Sequence, residues 1–580
     1  MQIHKSGAYS YFVEYDDDSS KRVRSPLGYF SVDPVLRVPA RTPILGGDGK
    51  PQPVGKGGVV QGSKMVHLPL DGLVIQSVIA KWMGLIEEWT PHLETISARG
   101  YNAIHFTPLQ QRGASNSPYS IYDQNEFADD LFKGKLSAKQ KDDKMESALK
   151  QIKKDYGTLA IADVVWNHTA HNSDWLLDHP EAGFSPATAP HLTSAVELDS
   201  ALLNFSATMS KRGLPTKLTT GADLDKVMAA IEKDVVKPLD LWQYYVIDVK
   251  AAGTAFDEAF AAGKKATIEP PSAPLASLPE RELGAAFAKA CLPAGWETLS
   301  TRFAASVDAP RAVSFVCAYL GTDSPSSSEA SGALKRLVDM FNLPRYELYD
   351  DDYKSILEQT RGRIDYTRMA SHGPQLGEVT PKSPLVEPLF TRLPRNERTA
   401  KHEESALTLA NNGWVWAADP LNDFAQPNSR AYLRRELIVW GDCVKLRYGD
   451  KPEDNPWLWE HMTRYTETLA RMFDGFRLDN CHSTPLAVGE TLLDRARVVN
   501  PDIYVCAELF TGSQDMDMLF VCRLGLNSLI REAYNAHDPK DESSLMYRYG
   551  IVKPVGASFS SPRPTLADIA AQALWTRIVL

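Results

Sequence analysis

Asp474-Gly-Phe-Arg-Leu-Asp479 and Ile503-Tyr-Val-Cys-Ala-Glu-Leu509 are two short apolar runs, each ending at or beside a carboxylate. Between them lies the pattern of one helix. Thr484 stands as N-cap and Pro485 at the first position; Val488, Leu492, Ala496 and Val499 share a face, and Asn500-Pro501 stops the helix. Strand, helix and strand in this order imply parallel pairing through a right-handed crossover. Residues two apart on a strand share a face, so Arg477 and Asp479 project together, opposite Phe476 and Leu478. With the two apolar side chains packed on outer helices, Arg477 and Asp479 face the axis of the sheet.

Working outward, the same rhythm occurs near the start of the chain. Leu73 to Ala80, Ala103 to Leu109 (AIHFTPL) and Leu159 to Trp166 (LAIADVVW) read as buried strands. A helix with Thr90 as N-cap and Pro91 follows the first run. Met145, Leu149, Ile152 and Tyr156 recur at helical spacing before Gly157. Residues 171–425 interrupt the rhythm with helical pieces such as Asp223 to Ile247. A Pro-rich patch (Glu269 to Pro279) and a Ser-rich one (Asp323 to Ser331) there read as exposed loops. Residues 1–70 look β-rich, with strands at Tyr9 to Tyr15 and Gly28 to Val38 and loops at Gly46–Gly49 and Pro53 to Lys64. The expected architecture is a (β/α)8 TIM barrel of α/β class, C-terminally incomplete. A small N-terminal β domain (1–70) precedes the first barrel part (71–170); a large helix-rich insertion (171–425) follows the third strand, and the barrel continues at 426–580.

Composition narrows the class. Of 580 residues, 43% are hydrophobic and 23% charged, which fits a globular chain. The net charge of −10 argues against a nucleic-acid partner, whose binding is driven by Lys and Arg. No apolar run reaches the roughly 20 residues of a membrane helix, and Met1 to Tyr15 lacks a signal-peptide apolar core. Six scattered cysteines without a Cys-x-x-Cys pair read as reduced thiols of a cytoplasmic protein, and Cys481 as packing.

The chemistry collects at strand ends: Asp163-Val-Val-Trp-Asn167-His168, Arg477-Leu-Asp479-Asn480-Cys481-His482 and Glu508. A guanidinium beside Asp479 favours the ionised carboxylate, as a nucleophile needs. Glu508 ends an apolar strand with no cation adjacent in sequence, so desolvation favours its protonated form, as an acid needs. Two such carboxylates about 5–5.5 Å apart are the equipment of retaining glycosyl transfer. Asp479 alone is as readily a helix cap as a nucleophile; the constellation decides the reading.

These motifs resemble the signature regions of the α-amylase superfamily. More narrowly, Ile104-His-Phe-Thr-Pro-Leu-Gln-Gln-Arg112-Gly-Ala-Ser-Asn-Ser-Pro-Tyr119, Tyr432-Leu-Arg-Arg-Glu-Leu437, Arg477-Leu-Asp-Asn-Cys-His-Ser-Thr-Pro485 and Ala507-Glu-Leu-Phe-Thr-Gly512 resemble the glucanotransferase part of the eukaryotic glycogen debranching enzymes. The resemblance implies a 4-α-glucanotransferase with Asp479 as nucleophile and Glu508 as acid/base. Arg477 would hold Asp479, Asp163 and His168 would contact or brace the sugar, and Tyr119 with Asp123 would place an aromatic platform beneath it. His482 would line the acceptor side. Glycogen and maltooligosaccharides are the implied partners. No cofactor is implied, and Asn167, a calcium-contacting position in many amylases, lacks a full set of oxygen ligands here, so no metal is expected.

Two departures accompany it. The superfamily's third carboxylate is expected beyond Leu580, after a helix-like Leu566 to Leu580, because His537-Asp538 follows a helix-like Ser528 to Ala536 and not a strand. The α-1,6-glucosidase half of those enzymes is absent from this sequence. An α-glucan hydrolase and a catalytically inactive glycogen-binding fragment are the alternative readings, and an unfinished barrel with open edges predicts poor solubility.

Overall fold

Five of the apolar runs and one short further segment form one parallel sheet: β1 (Ile75–Val78), β2 (Ala103–Phe106), β3 (Leu159–Val164), β4 (Gly475–Leu478), β5 (Tyr504–Glu508) and β6 (Ser528–Ile530). The computed structural model describes residues 5–18, 21–39, 65–269, 274–531, 538–540 and 543. The loops expected at 46–49 and 53–64, His537 and the helix-like 566–580 lie outside the described residues. Each strand pairs with the next strand in chain order, with no reversal point. A sequential all-parallel order is that of a TIM-barrel-like α/β sheet, whereas a doubly wound sheet reverses its strand order. The helices between the strands are α1 (Thr90–Ala98), α2 (Ala138–Tyr156), α3 (Pro456–Met472), α4 (Leu486–Val499) and α5 (Gln514–Leu524).

The period-2 alternation separates two faces. Phe476, Leu478, Val505 and Ala507 join Met462 and Leu469 of α3, Leu492 of α4 and Phe520 of α5 in the larger core. Ala103, Leu159, Ile161, Tyr504 and Cys506 form a second cluster on the other face, with Leu36 and Val38. That inner face is therefore apolar towards the strands' N-terminal ends. Continuing each alternation towards the C-terminal ends leads to His105, Asp163, Arg477 and Glu508, where the polar groups gather. Helix boundaries follow their caps. Ser137 and Gln140 form a capping box on α2, and Gly157 closes it in the left-handed conformation (φ 59°).

The chain divides into two units. The first comprises the sheet and its helices, with residues up to Gly183, 417–423 and 442 onward; the second comprises 184–416 and 424–441. The second unit is mainly helical, with two apolar cores and a long helix, Ser327–Arg368.

Three sequence expectations are corrected. Ser528–Ile530 is a strand paired to β5 and not the start of a helix, because parallel pairing decided a run too short to show a period. The Ser-rich stretch is no loop throughout: Ser326 and Glu329 form the capping box of the helix from Ser327. Thr484 does not cap α4; its hydroxyl donates to the Asn480 carbonyl (3.3 Å), and the helix begins at Leu486. In the acidic run 350–352, Asp352 is fully buried and takes bonds from Tyr245, Arg430 and Arg434.

Candidate active site

Register places Asp163 of β3 beside Arg477 of β4, and Arg477 beside Cys506 of β5, two residues before Glu508. One guanidinium thereby reaches three carboxylates. Arg477 Nη1 donates to Asp163 Oδ1 (2.9 Å) and to Asp479 Oδ1 (2.7 Å), and Nη2 pairs with Glu508 Oε2 (2.9 Å). The Asp163 side chain has no exposure, Asp479 has 5% and Glu508 20%, so only the last is partly open to solvent. Burial disfavours the Arg477 charge, yet Asp163, Asp479 and Glu508 together hold the group above its ordinary range, as a permanent cation. The expectation that Glu508 lacks a cation is thus corrected: Arg477 bends to both strand ends, and the two carboxylates share it.

Asp163 is fully engaged. Its Oδ2 accepts from Tyr119 OH (3.0 Å) and from His105 Nε2 (3.0 Å), while His105 Nδ1 faces Ser77 Oγ (3.0 Å). This is a brace spanning β1 to β4. Burial, then the Asp163 charge, push the Tyr119 phenol well above its usual range, so it stays a donor. The Arg477 guanidinium lies 5.7 Å from the Tyr119 ring centre.

His168 is buried, and burial pushes its pKa down, towards the neutral ring. Its Nε2 lies 3.0 Å from the Tyr119 carbonyl and its Nδ1 2.7 Å from Asn167 Oδ1, two acceptors on either side of one ring. His168 therefore holds the loop that carries Tyr119. His482 lies beside Glu508: its Nδ1 accepts from Phe510 N–H (3.3 Å), and its ring stacks on Phe510 with centres 5.6 Å apart. Asp123 is not brought into this network; its carboxylate accepts the Asn125 N–H (2.8 Å), and burial raises its pKa. Next to the Tyr119 loop an open cavity of about 450 Å³ is lined by Gln111, Arg112, Asn116, Tyr122 and Asn172 among others.

Sequence reasoning missed His105, Ser77 and Asn480. Alternation offered a signal for His105, which shares the inward face of β2 with Ala103. Asn480 touches both Glu508 and Asp479: its backbone N–H donates to Glu508 Oε2 (2.9 Å) and its Nδ2 to Asp479 Oδ2 (3.1 Å). Among the tryptophans, Trp457 and Trp459 pack against Trp175, His179 and Tyr448, whereas Trp416 is 79% exposed. Among the described residues no group of three or more His, Cys, Asp or Glu is arranged to hold a metal ion, and no helix is long and apolar enough to cross a membrane.

A parallel α/β sheet with a cation-bridged carboxylate pair at its C-terminal strand ends defines the class. Within it, residues 66–504 match the family described as glycogen debranching enzyme, glucanotransferase domain, and residues 1–39 match the N-terminal domain from the human glycogen debranching enzyme. The chain belongs to this glucanotransferase-domain family. A glycogen debranching enzyme from Saccharomyces cerevisiae is 41% identical over 566 residues, covering 96% of this chain and 34% of the relative, so the chain spans about a third of that relative's length. Among solved structures, the debranching enzyme from Nostoc punctiforme aligns at 11% identity and TM-score 0.30, covering 88% of this chain and 61% of that one. An Anoxybacillus α-amylase aligns at 10% and 0.33, covering 84% and 60%. Likeness of that size leaves the fold to be read from the strand order itself.

Proposed function

We propose that this site performs the 4-α-glucanotransferase step of glycogen debranching, moving short α-1,4-glucan segments by a retaining double displacement. Asp479 attacks the anomeric carbon of the donor, the glycosidic C–O bond breaks, and Glu508 delivers its proton to the leaving oxygen. A glucosyl ester on Asp479 results. Glu508, now a base, takes the proton from an acceptor glucan hydroxyl as that oxygen displaces the Asp479 carboxylate. The sharing of Arg477 by Asp479 and Glu508 carries the reading, because one rigid fork fixes two carboxylates relative to one another. Glu508 Oε2 already accepts from Arg477 Nη2 and Asn480 N–H, which leaves Oε1 to bear the transferable proton.

In this account Arg477 positions both carboxylates, and Asp163, with His105, positions Arg477. Tyr119 presents its ring to the sugar at the cleavage point, His168 supports that loop, and His482 lines the acceptor side. Glycogen and maltooligosaccharides are the substrates. Chromatography of a single maltooligosaccharide after incubation tests the proposal: longer and shorter chains are expected together, and Asp479→Asn abolishes both. Glucose release without chain-length shuffling would replace transfer by hydrolysis on the same scaffold, and undiminished shuffling in Asp479→Asn would overturn the nucleophile.

A further inference from the structure

Asn480 has the left-handed backbone conformation (φ 47°), uncommon for a residue with a side chain. Asn tolerates this region better than most residues. The conformation turns the chain out of β4, so that the backbone N–H of Asn480 meets Glu508 Oε2 (2.9 Å) while its side-chain Nδ2 meets Asp479 Oδ2 (3.1 Å). Each Asp479 oxygen thereby receives one donor, Oδ1 from Arg477 and Oδ2 from Asn480.

We propose that Asn480 is a positioning residue of the displacement, fixing the nucleophile through its side-chain amide and the acid/base through its backbone. This rests on the function proposed above. The amide bond to Oδ2 selects one rotamer of Asp479. The backbone bond holds Glu508 Oε2, so Oε1 is turned to the leaving oxygen. The titratable and charged groups that interact with Asp479 are Arg477, His168 after β3, Tyr119 from the loop beyond β2, Tyr465 of α3 and Cys443 of the strand Leu437–Lys445, while Asp163 and Glu508 share Arg477 with it. Arg477 is the fixed cation of this set, and the Asn480 amide is the uncharged donor that supplements it.

The test uses the natural gene product and α-maltotriosyl fluoride, whose C–F bond breaks as the Asp479 ester forms, with no proton needed by the leaving fluoride. Asn480→Gly keeps the left-handed backbone and its N–H and deletes the amide alone. Its kcat for fluoride release is expected to fall about tenfold, the size of one hydrogen bond to a charged group, with KM nearly unchanged. Asn480→Asp, which sets a second carboxylate against Asp479, is expected to lose more kcat than Asn480→Gly, again with KM nearly unchanged. A kcat within twofold of wild type in Asn480→Gly, or a loss confined to KM, would overturn the proposal. Absence of fluoride release from the wild type would instead sink the function proposed above, whereas wild-type release that both variants match would sink only the assignment of Asn480.

Discussion

Arg477→Lys is the most informative substitution at this site, because it keeps the charge and removes the fork. The guanidinium uses two nitrogens to hold carboxylates on three strand ends at 2.9, 2.7 and 2.9 Å. A lysine ammonium is a single point on a flexible stem and cannot span Asp479 and Glu508 in one plane. Losing one charge-assisted bond costs about 1.5–3 kcal/mol. At about 1.4 kcal/mol per tenfold, that predicts kcat/KM lower by roughly 10- to 150-fold. Arg477→Met goes further: three carboxylates lose their shared cation, and breaking a buried pair costs about 3–5 kcal/mol of stability. Fluoride release from a maltooligosyl fluoride and chain-length chromatography give the kinetics, and urea midpoints at pH 5 and 7.5 give the stability. Arg477→Lys within threefold of wild type, with the two carboxylates otherwise unchanged, would refute the shared-fork account.

Other consequences are as direct. His461 is pushed down to about 4 by burial, with Nε2–H donating to Gln124 Oε1 (3.0 Å) and Nδ1 accepting from Asn125 (3.2 Å). Between pH 4 and the ordinary 6.5 the unfolded ring binds a proton that the folded ring refuses, so stability falls as pH drops through this window. His461→Gln flattens the pH dependence of the urea midpoint there, and an unchanged slope would count against the assignment. Tyr119→Phe removes the bond to Asp163 and keeps the ring, so its loss falls on kcat; Tyr119→Ala also raises KM for maltooligosaccharides, and equal KM values in both would remove the platform role. Gly113→Ala would set its Cβ 2.5 Å from Ala170 Cβ and 2.8 Å from Asn172 Oδ1, at the base of the loop that bears Tyr119. Thermal midpoints and kcat/KM are expected to fall together, with a stability loss of about 1–3 kcal/mol.

Much of this was legible because it is local. The alternation in Asp474 to Asp479 put Arg477 and Asp479 on one face, and the apolar runs at β2, β3 and β5 gave a parallel sheet without reference to anything distant. What escaped depended on tertiary geometry. The three residues of β6 carry no period, and only their pairing with β5 makes them a strand. The Arg477 side chain reaches the neighbouring strand's Glu508, which a reading of adjacent residues could not supply. Asp352 is buried because Arg430 and Arg434, far along the chain, neutralise it. Ser326 and Glu329 are a different matter: the capping box was in the sequence, and the serine-rich composition hid it. Asn480 needed its backbone angle before its two bonds made sense.

The central claim is that Asp479 becomes covalently glycosylated while Glu508 handles the proton. Glu508→Gln slows breakdown of the ester but still allows fluoride to leave, so brief treatment of that variant with α-maltotriosyl fluoride, acid quenching and peptide mass spectrometry reads the intermediate. A maltotriosyl adduct on the peptide containing Asp479 is expected. An adduct on any other side chain, or fluoride release that gives only the inverted anomer with no adduct, would contradict it.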